Sequence, residues 1–326
     1  MYATIVSVEK QWKMLLPTRP QPDTIVAIFL LKKFGAKKFP DIENATVEVR
    51  AQLENNETFE SLLKQNILAI DLGGGPLDHH GSDYSTTELV ARYLGVYNDR
   101  SLQQLLAYTN RDDKQGKGTV SRDPLDRAFG LSGLIASLNK ANPKNPQHVV
   151  DSILPLLEAH WQSAQEHHVE LPAEVERKRA EGAYEEFTVT YGNKKLLVSC
   201  IVSDKPAMPT YLRSMSGPHA DVVIQKSEKT NHLCVLTKQE HKIDLSIVAA
   251  LIRLREGENA GIDLGNDPVY LGQTGRIKEV EYWYYDPATN SLLNGGSHSD
   301  KVTPSSIEWE EFKKIVRAGL EALNIK

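Results

Sequence analysis

Along its first third the chain alternates between two apolar periods. Residues 2–8, 12–16, 46–49 and 67–72 are compact runs rich in β-branched and aromatic side chains, and they read as strands. Residues 23–34, 59–64, 85–94 and 101–108 carry helical spacing instead, and the first of these ends at Gly35, a natural stop. Strands separated by helices predict a largely parallel sheet covered on both faces. From 124 to 186 the pattern turns helical throughout, most clearly at 146–168 and 173–183. Strands then return at 187–191, 195–202, 222–225, 232–236 and 277–285, with helices at 245–256 and 309–323. The expected architecture is therefore α/β in two domains. An N-terminal parallel-sheet domain and its helical linker span 1–185, and a smaller mixed α/β domain spans 186–326.

Composition changes this picture little. Of the 326 residues 40% are hydrophobic and 25% charged, as in ordinary globular chains. A formal net charge of −5 advertises neither a nucleic-acid nor a membrane surface, although a basic lining can sit inside an acidic whole. The longest unbroken apolar run, 25–31, is far short of the roughly 20 residues a membrane helix needs. No signal-peptide pattern opens the chain. Cys200 and Cys234 lie in strand-like apolar runs and read as buried free thiols, as in a reducing compartment. A cytoplasmic protein without membrane partners is expected, and a homodimer is compatible with the sequence.

The chemistry concentrates in Ala69-Ile70-Asp71-Leu72-Gly73-Gly74-Gly75-Pro76-Leu77-Asp78-His79-His80-Gly81. Asp71 ends an apolar strand, and ligands of open α/β sheets gather at the carboxyl ends of strands. Three glycines permit a tight turn that returns Asp78, His79 and His80 beside it. Carboxylate oxygen with imidazole nitrogen suits Mn²⁺, Mg²⁺, Zn²⁺ or Fe²⁺, and the absence of nearby cysteine argues against a structural zinc. The alternative is a solvated turn in which these side chains merely cap backbone.

These residues resemble the DHH phosphoesterase family, which includes nanoRNA phosphatases, single-strand exonucleases, exopolyphosphatases and manganese pyrophosphatases. Asp78-His79-His80 matches the name-giving motif and Asp71 the lone strand-ending aspartate. The stretch from Pro20 to Ile28 resembles the first motif, His-x-x-Pro-Asp-x-Asp, and Asn110-Arg111-Asp112-Asp113 sits where the fourth supplies an aspartate. The resemblance implies a divalent metal, Mn²⁺ before Mg²⁺, with Asp71 as a bridging ligand. Asp23, His79 and Asp112 or Asp113 would complete one site. Asp78 and His80 belong to the catalytic set, with His80 on the phosphate. Pro17 stands at the motif's histidine and Gln21 at its first aspartate, so the second site keeps only the bridge. Arg19 is the charged residue placed to stand in there electrostatically.

Further along, the runs at 220–224, 233–238 and 243–249 follow the order of the DHH-associated domain. Gly295, Gly296, Ser297 and His298 resemble its glycine-histidine loop, implying substrate contact. The implied substrate is a phosphorylated small molecule or short oligonucleotide, hydrolysed through a metal-activated water. A catalytically weakened homologue that senses a nucleotide, or a scaffold, is the alternative. Lys32, Lys33, Lys37 and Lys38 read as a solvated helix end. Lys114, Lys117, Arg122 and Arg127 are candidates for guiding phosphate, His167-His168 for surface positions, and residues 282–285 for strand packing.

Overall fold

The structure, a computed structural model, describes residues 11–17, 19–116, 121–295 and 302–322. The expected strand at 2–8, Lys117, and the loop residues Gly296, Ser297 and His298 lie outside the described residues. The chain forms two compact units, Met1–Glu166 and His167–Lys326. The boundary expected near Glu185 falls inside the second unit, at the first strand of its sheet. It does so because the helix Leu171–Ala180 packs on that strand and the next.

In the first unit three short strands, β1 (Lys13–Leu16), β2 (Thr46–Val49) and β3 (Ile67–Ala69), pair in parallel in the order β2-β1-β3. Between β1 and β2 runs α1 (Pro22–Phe34), in which every residue from Pro22 to Leu31 is buried. A helix apolar on all sides must be covered on all sides. Here α3 (Thr86–Leu94), α4 (Gln103–Lys114) and α7 (Pro146–Gln165) surround it, while α2 (Phe59–Leu63) lies on β3. Two more helices, α5 (Pro124–Phe129) and α6 (Leu131–Ala141), lead into α7. Lys32, expected in solvent, instead donates to the carbonyls of Glu43 and Ala45 and ties α1 to the approach to β2.

The second unit opens with α8 (Leu171–Ala180), β4 (Tyr184–Tyr191), β5 (Lys194–Val202) and α9 (Met208–Arg213). It continues with β6 (Val222–Lys226), β7 (Leu233–Thr237), α10 (Ser246–Ala260) and α11 (Pro268–Leu271). β8 (Trp283–Asp286), β9 (Ser291–Asn294) and α12 (Trp309–Glu321) complete it. The sheet order is β4-β5-β6-β7-β9-β8, with β5 and β6 parallel and the other pairs antiparallel. Leu196, Val198 and Cys200 of β5 face the core built with α10 and α12, whereas Ile201 and Val223 face the one built with α8 and α9. Alternation of this kind covers both faces of the sheet. Both cysteines are free thiols. Among the described residues no helix is long and apolar enough to cross a membrane.

The run 277–285, expected as one strand, is a short helical turn (Lys278–Val280) followed by β8. Its cause lies in α10. Arg253, fully buried, donates to the carbonyls of Leu271, Gln273 and Gly275 at 2.7, 2.8 and 2.6 Å. Glu256, three residues on along the same helix, accepts from Trp283 Nε1 and from Ser305 and Ser306. The segment between α10 and β8 is thus moulded around two buried charges rather than extended along the sheet. Arg253→Met strands those carbonyls and is expected to lower unfolding free energy by roughly 2–4 kcal/mol, read from urea titration. A change below about 1 kcal/mol would show that the carbonyls are satisfied elsewhere.

Candidate metal centre

Asp71 leaves the sheet immediately after β3. The ladder still holds at Ile70, whose amide donates to Leu15 O at 2.9 Å, but Asp71 has φ 59° and turns the chain out. Only small polar side chains visit this left-handed region with ease, and a residue held there at a strand end is a familiar device of functional sites. The loop closes on itself: Asp71 N donates to Leu77 O at 2.8 Å and Asp78 N to Gly75 O at 3.0 Å. Gly73 is obligatory inside it, with φ 83° and a notional Cβ only 2.2 Å from Leu53 Cδ1.

Asp78 spends its carboxylate on the loop. Its Oδ2 accepts from Gly74 N at 2.6 Å, and its Oδ1 accepts from His80 N at 3.0 Å and lies 2.6 Å from His80 Nδ1. Burial opposes ionisation there, but the two amides and the imidazole prevail and hold the carboxyl below its usual range. In return the bond to Asp78 raises the pKa of His80, against a smaller desolvation and with help from Asp71. His80 is mostly exposed and oriented by a buried carboxylate.

His79 points the other way. Its Nδ1 lies 3.6 Å from Asp71 Oδ1, 3.8 Å from Asp23 Oδ2 and 3.8 Å from Asp113 Oδ2. Asp23 reaches this point from the first turn of α1, where the helix dipole favours an anion. Asp113 comes from the last turn of α4. The expected helix ending at Tyr108 runs on to Lys114, so the Asn110–Asp113 stretch is helical and adjacent residues diverge by about 100°. That separates the two candidates for the fourth ligand. Asp113 enters the cluster, while Asp112 is buried toward α6, 3.4 Å from Ser132 Oγ, beside a cleft of ≈ 560 Å³ that Arg111 and Arg127 also line.

Burial pushes the Asp23 carboxyl from its usual 3.8 up to about 6, and the charges of Asp113 and Asp71 add to the shift. Asp71 is raised by burial as well. Its Oδ1 is buried and accepts no hydrogen bond among the described residues. The ion-pair partners of Asp23, Asp71 and Asp113 among those residues are His79 and His80 alone. Three carboxylates around one ring nitrogen, with a buried oxygen left unbonded, call for a cation. Donors sharing one ion at about 2.0–2.2 Å stand about 3.0–3.6 Å apart, and His79 Nδ1 lies at or just beyond that spacing from each carboxylate. Two overlapping groups meet the requirement: Asp23 with His79 and Asp113, and Asp71 with His79 and His80.

Other expected residues lie elsewhere. Gln21 is the N-cap of α1, its amide donating to Thr24 Oγ1 at 3.0 Å, and Pro17 closes β1 without a donor to offer. Arg19 is exposed in a groove with Val47, Asn139 and Pro146. Gly295 follows β9 in the second unit with φ 91°, its amide donating to Tyr282 O. Thr86 was not legible as a site residue, yet its hydroxyl lies 3.0 Å from His79 Nδ1 and hydrogen-bonds Asp71. In the sequence it resembles an ordinary residue of a helix start.

No protein-family model matches the chain, and no curated protein matches it. A solved structure described as a member of the S1p family of ribosomal proteins, DHH domain, aligns over 98% of this chain and 88% of its own. It does so at 10% identity with a TM-score of 0.29, a likeness too weak to assign a family.

The raised pKa of Asp23 has a direct consequence for the metal-free protein. Below about pH 4 the carboxyl is protonated in both folded and unfolded chains, and its burial is unopposed. As pH rises the unfolded chain ionises first, so this contribution is lost by about pH 6, a change of about 3 kcal/mol. Urea unfolding in EDTA between about pH 4 and pH 7 should show that loss, and excess Mn²⁺ should suppress it. Equal profiles with and without metal would contradict a cation site at Asp23.

Proposed function

We propose that this chain is a metal-dependent phosphoesterase of the DHH type, hydrolysing a phosphate ester or phosphodiester of a nucleotide or short oligonucleotide. The observation that carries the reading is the convergence of Asp23, Asp71 and Asp113 on His79, with His80 alongside and oriented by Asp78. Four separate segments of sequence, in the order the family's motifs take, arrive at one point.

Asp23, His79 and Asp113 would hold a divalent cation, Mn²⁺ before Mg²⁺, with Asp71 beside them on His79, and the ion would supply charge neutralisation and water activation. The chain's own residues do the rest. Asp78 engages Nδ1 of His80, which leaves Nε2 for a phosphate oxygen and favours the protonated ring. His80 is the exposed member of the cluster, where a phosphate would approach.

Purified protein is expected to carry one Mn²⁺ equivalent per chain and to release nitrophenol from bis-p-nitrophenyl phosphate, or mononucleotides from short oligonucleotides, on Mn²⁺ addition. Asp71→Asn should reduce turnover by at least about 100-fold with the fold intact by circular dichroism. Bound metal without turnover on any of these substrates would defeat the hydrolase reading.

A non-hydrolysing phosphate sensor is the second reading, and Gln21 favours it, because a capping glutamine and Pro17 occupy the places of two ligands. Pro17→His with Gln21→Asp then creates turnover where wild type has none. Wild-type turnover that this double change only perturbs would end the sensor reading.

A further inference from the structure

Ser85, Thr86, Thr87 and Glu88 form the cap and first turn of α3, and all four are buried, at 0, 0, 0 and 5% exposure. Four consecutive polar residues buried at a helix start are costly unless each is matched. Each is matched, and the partners lead to the ligands of the metal centre.

Thr86 stands between two ligands at once. Its hydroxyl lies 3.0 Å from His79 Nδ1 and is a hydrogen-bonding neighbour of the Asp71 carboxylate. Thr87 Oγ1 donates to Asp23 O at 2.6 Å, pinning the first turn of α1. Ser85 Oγ donates to Asn110 Oδ1, and Asn110 Nδ2 donates to Glu88 Oε2 at 2.9 Å. Arg92 holds the other oxygen of Glu88 through Nε at 3.1 Å and Nη2 at 2.8 Å, its guanidinium lying over the rings of Tyr84 and Tyr97. Asn110 sits one turn before Asp113 on the same face of α4, near the helix end, where fraying and the negative dipole both work against a carboxylate.

We propose that the first turn of α3 is the device that assembles the metal centre, with Thr86, Thr87 and the Ser85–Asn110–Glu88 network as positioning residues for Asp71 and His79, Asp23 and Asp113 respectively. The proposal rests on the metal reading above. None of these side chains needs to touch the ion. Each fixes the element or ring that does, and partners of this kind commonly govern metal affinity by about 10–100-fold.

The test is Mn²⁺ titration of the full chain by calorimetry, with the EPR spectrum of the bound ion, beside thermal unfolding of the metal-free protein. Thr86→Val keeps shape and branching but removes the hydroxyl. It should weaken Mn²⁺ binding about 10–100-fold and alter the bound-ion spectrum, while Thr86→Ser restores both. Asn110→Ala, outside the ligand cluster, should weaken binding about tenfold and serves if the valine variant does not fold. Folded Thr86→Val and Asn110→Ala proteins that bind Mn²⁺ as wild type does, whatever their melting temperatures, overturn the proposal and leave the metal reading standing. Wild-type protein that takes up no Mn²⁺ overturns the metal reading and the proposal with it.

Discussion

Three carboxylates approach one imidazole nitrogen within 3.8 Å, and the first unit is arranged to hold them there against their mutual repulsion. The arrangement draws on every layer of that unit. The parallel sheet brings β3 alongside β1, so that the chain leaving each strand emerges at the same edge. The helix that follows β1 is apolar all round and buried, which fixes its N-terminal aspartate with little freedom. Burial, with the charges of Asp113 and Asp71 adding to it, raises the pKa of Asp23, Asp71 Oδ1 is buried without a hydrogen bond among the described residues, and a bound cation would relieve both penalties. Structure and chemistry share one cause: the site is unfavourable alone.

Much of this was legible in the sequence because the relevant signals are local. The apolar run ending at Asp71, the glycines behind it and the Asp-His-His triplet are consecutive, and short-range sterics dictate the turn. The choice between Asp112 and Asp113 was not legible, because it depends on helical phase. A helix taken to end at Tyr108 places both in a loop, whereas one continuing to Lys114 sets them about 100° apart around α4. Within the triplet the family resemblance implied His79 for the metal and His80 for the phosphate, but not that the backbone amides of Gly74 and His80 would claim Asp78.

The second unit was read less well at its far end for a related reason. Residues 277–285 have strand composition, and nothing local announces that Arg253 and Glu256, more than twenty positions earlier, will draw the segment inward. Buried charges that satisfy distant carbonyls leave no periodic trace. The same holds for the Ser-Thr-Thr-Glu turn of α3, which looks like an unremarkable helix cap until its tertiary partners are known.

The left-handed backbone at Asp71 makes that position a lock with two wards. Glycine fits the dihedral but offers no donor, glutamate offers a donor but strains the backbone and sets its carboxylate a methylene too far, and asparagine fits the turn while forfeiting charge. Aspartate alone satisfies both demands. The usual interchange of acidic residues is closed here, and drift at position 71 has no graded path: any step away loses either the turn or the ligand.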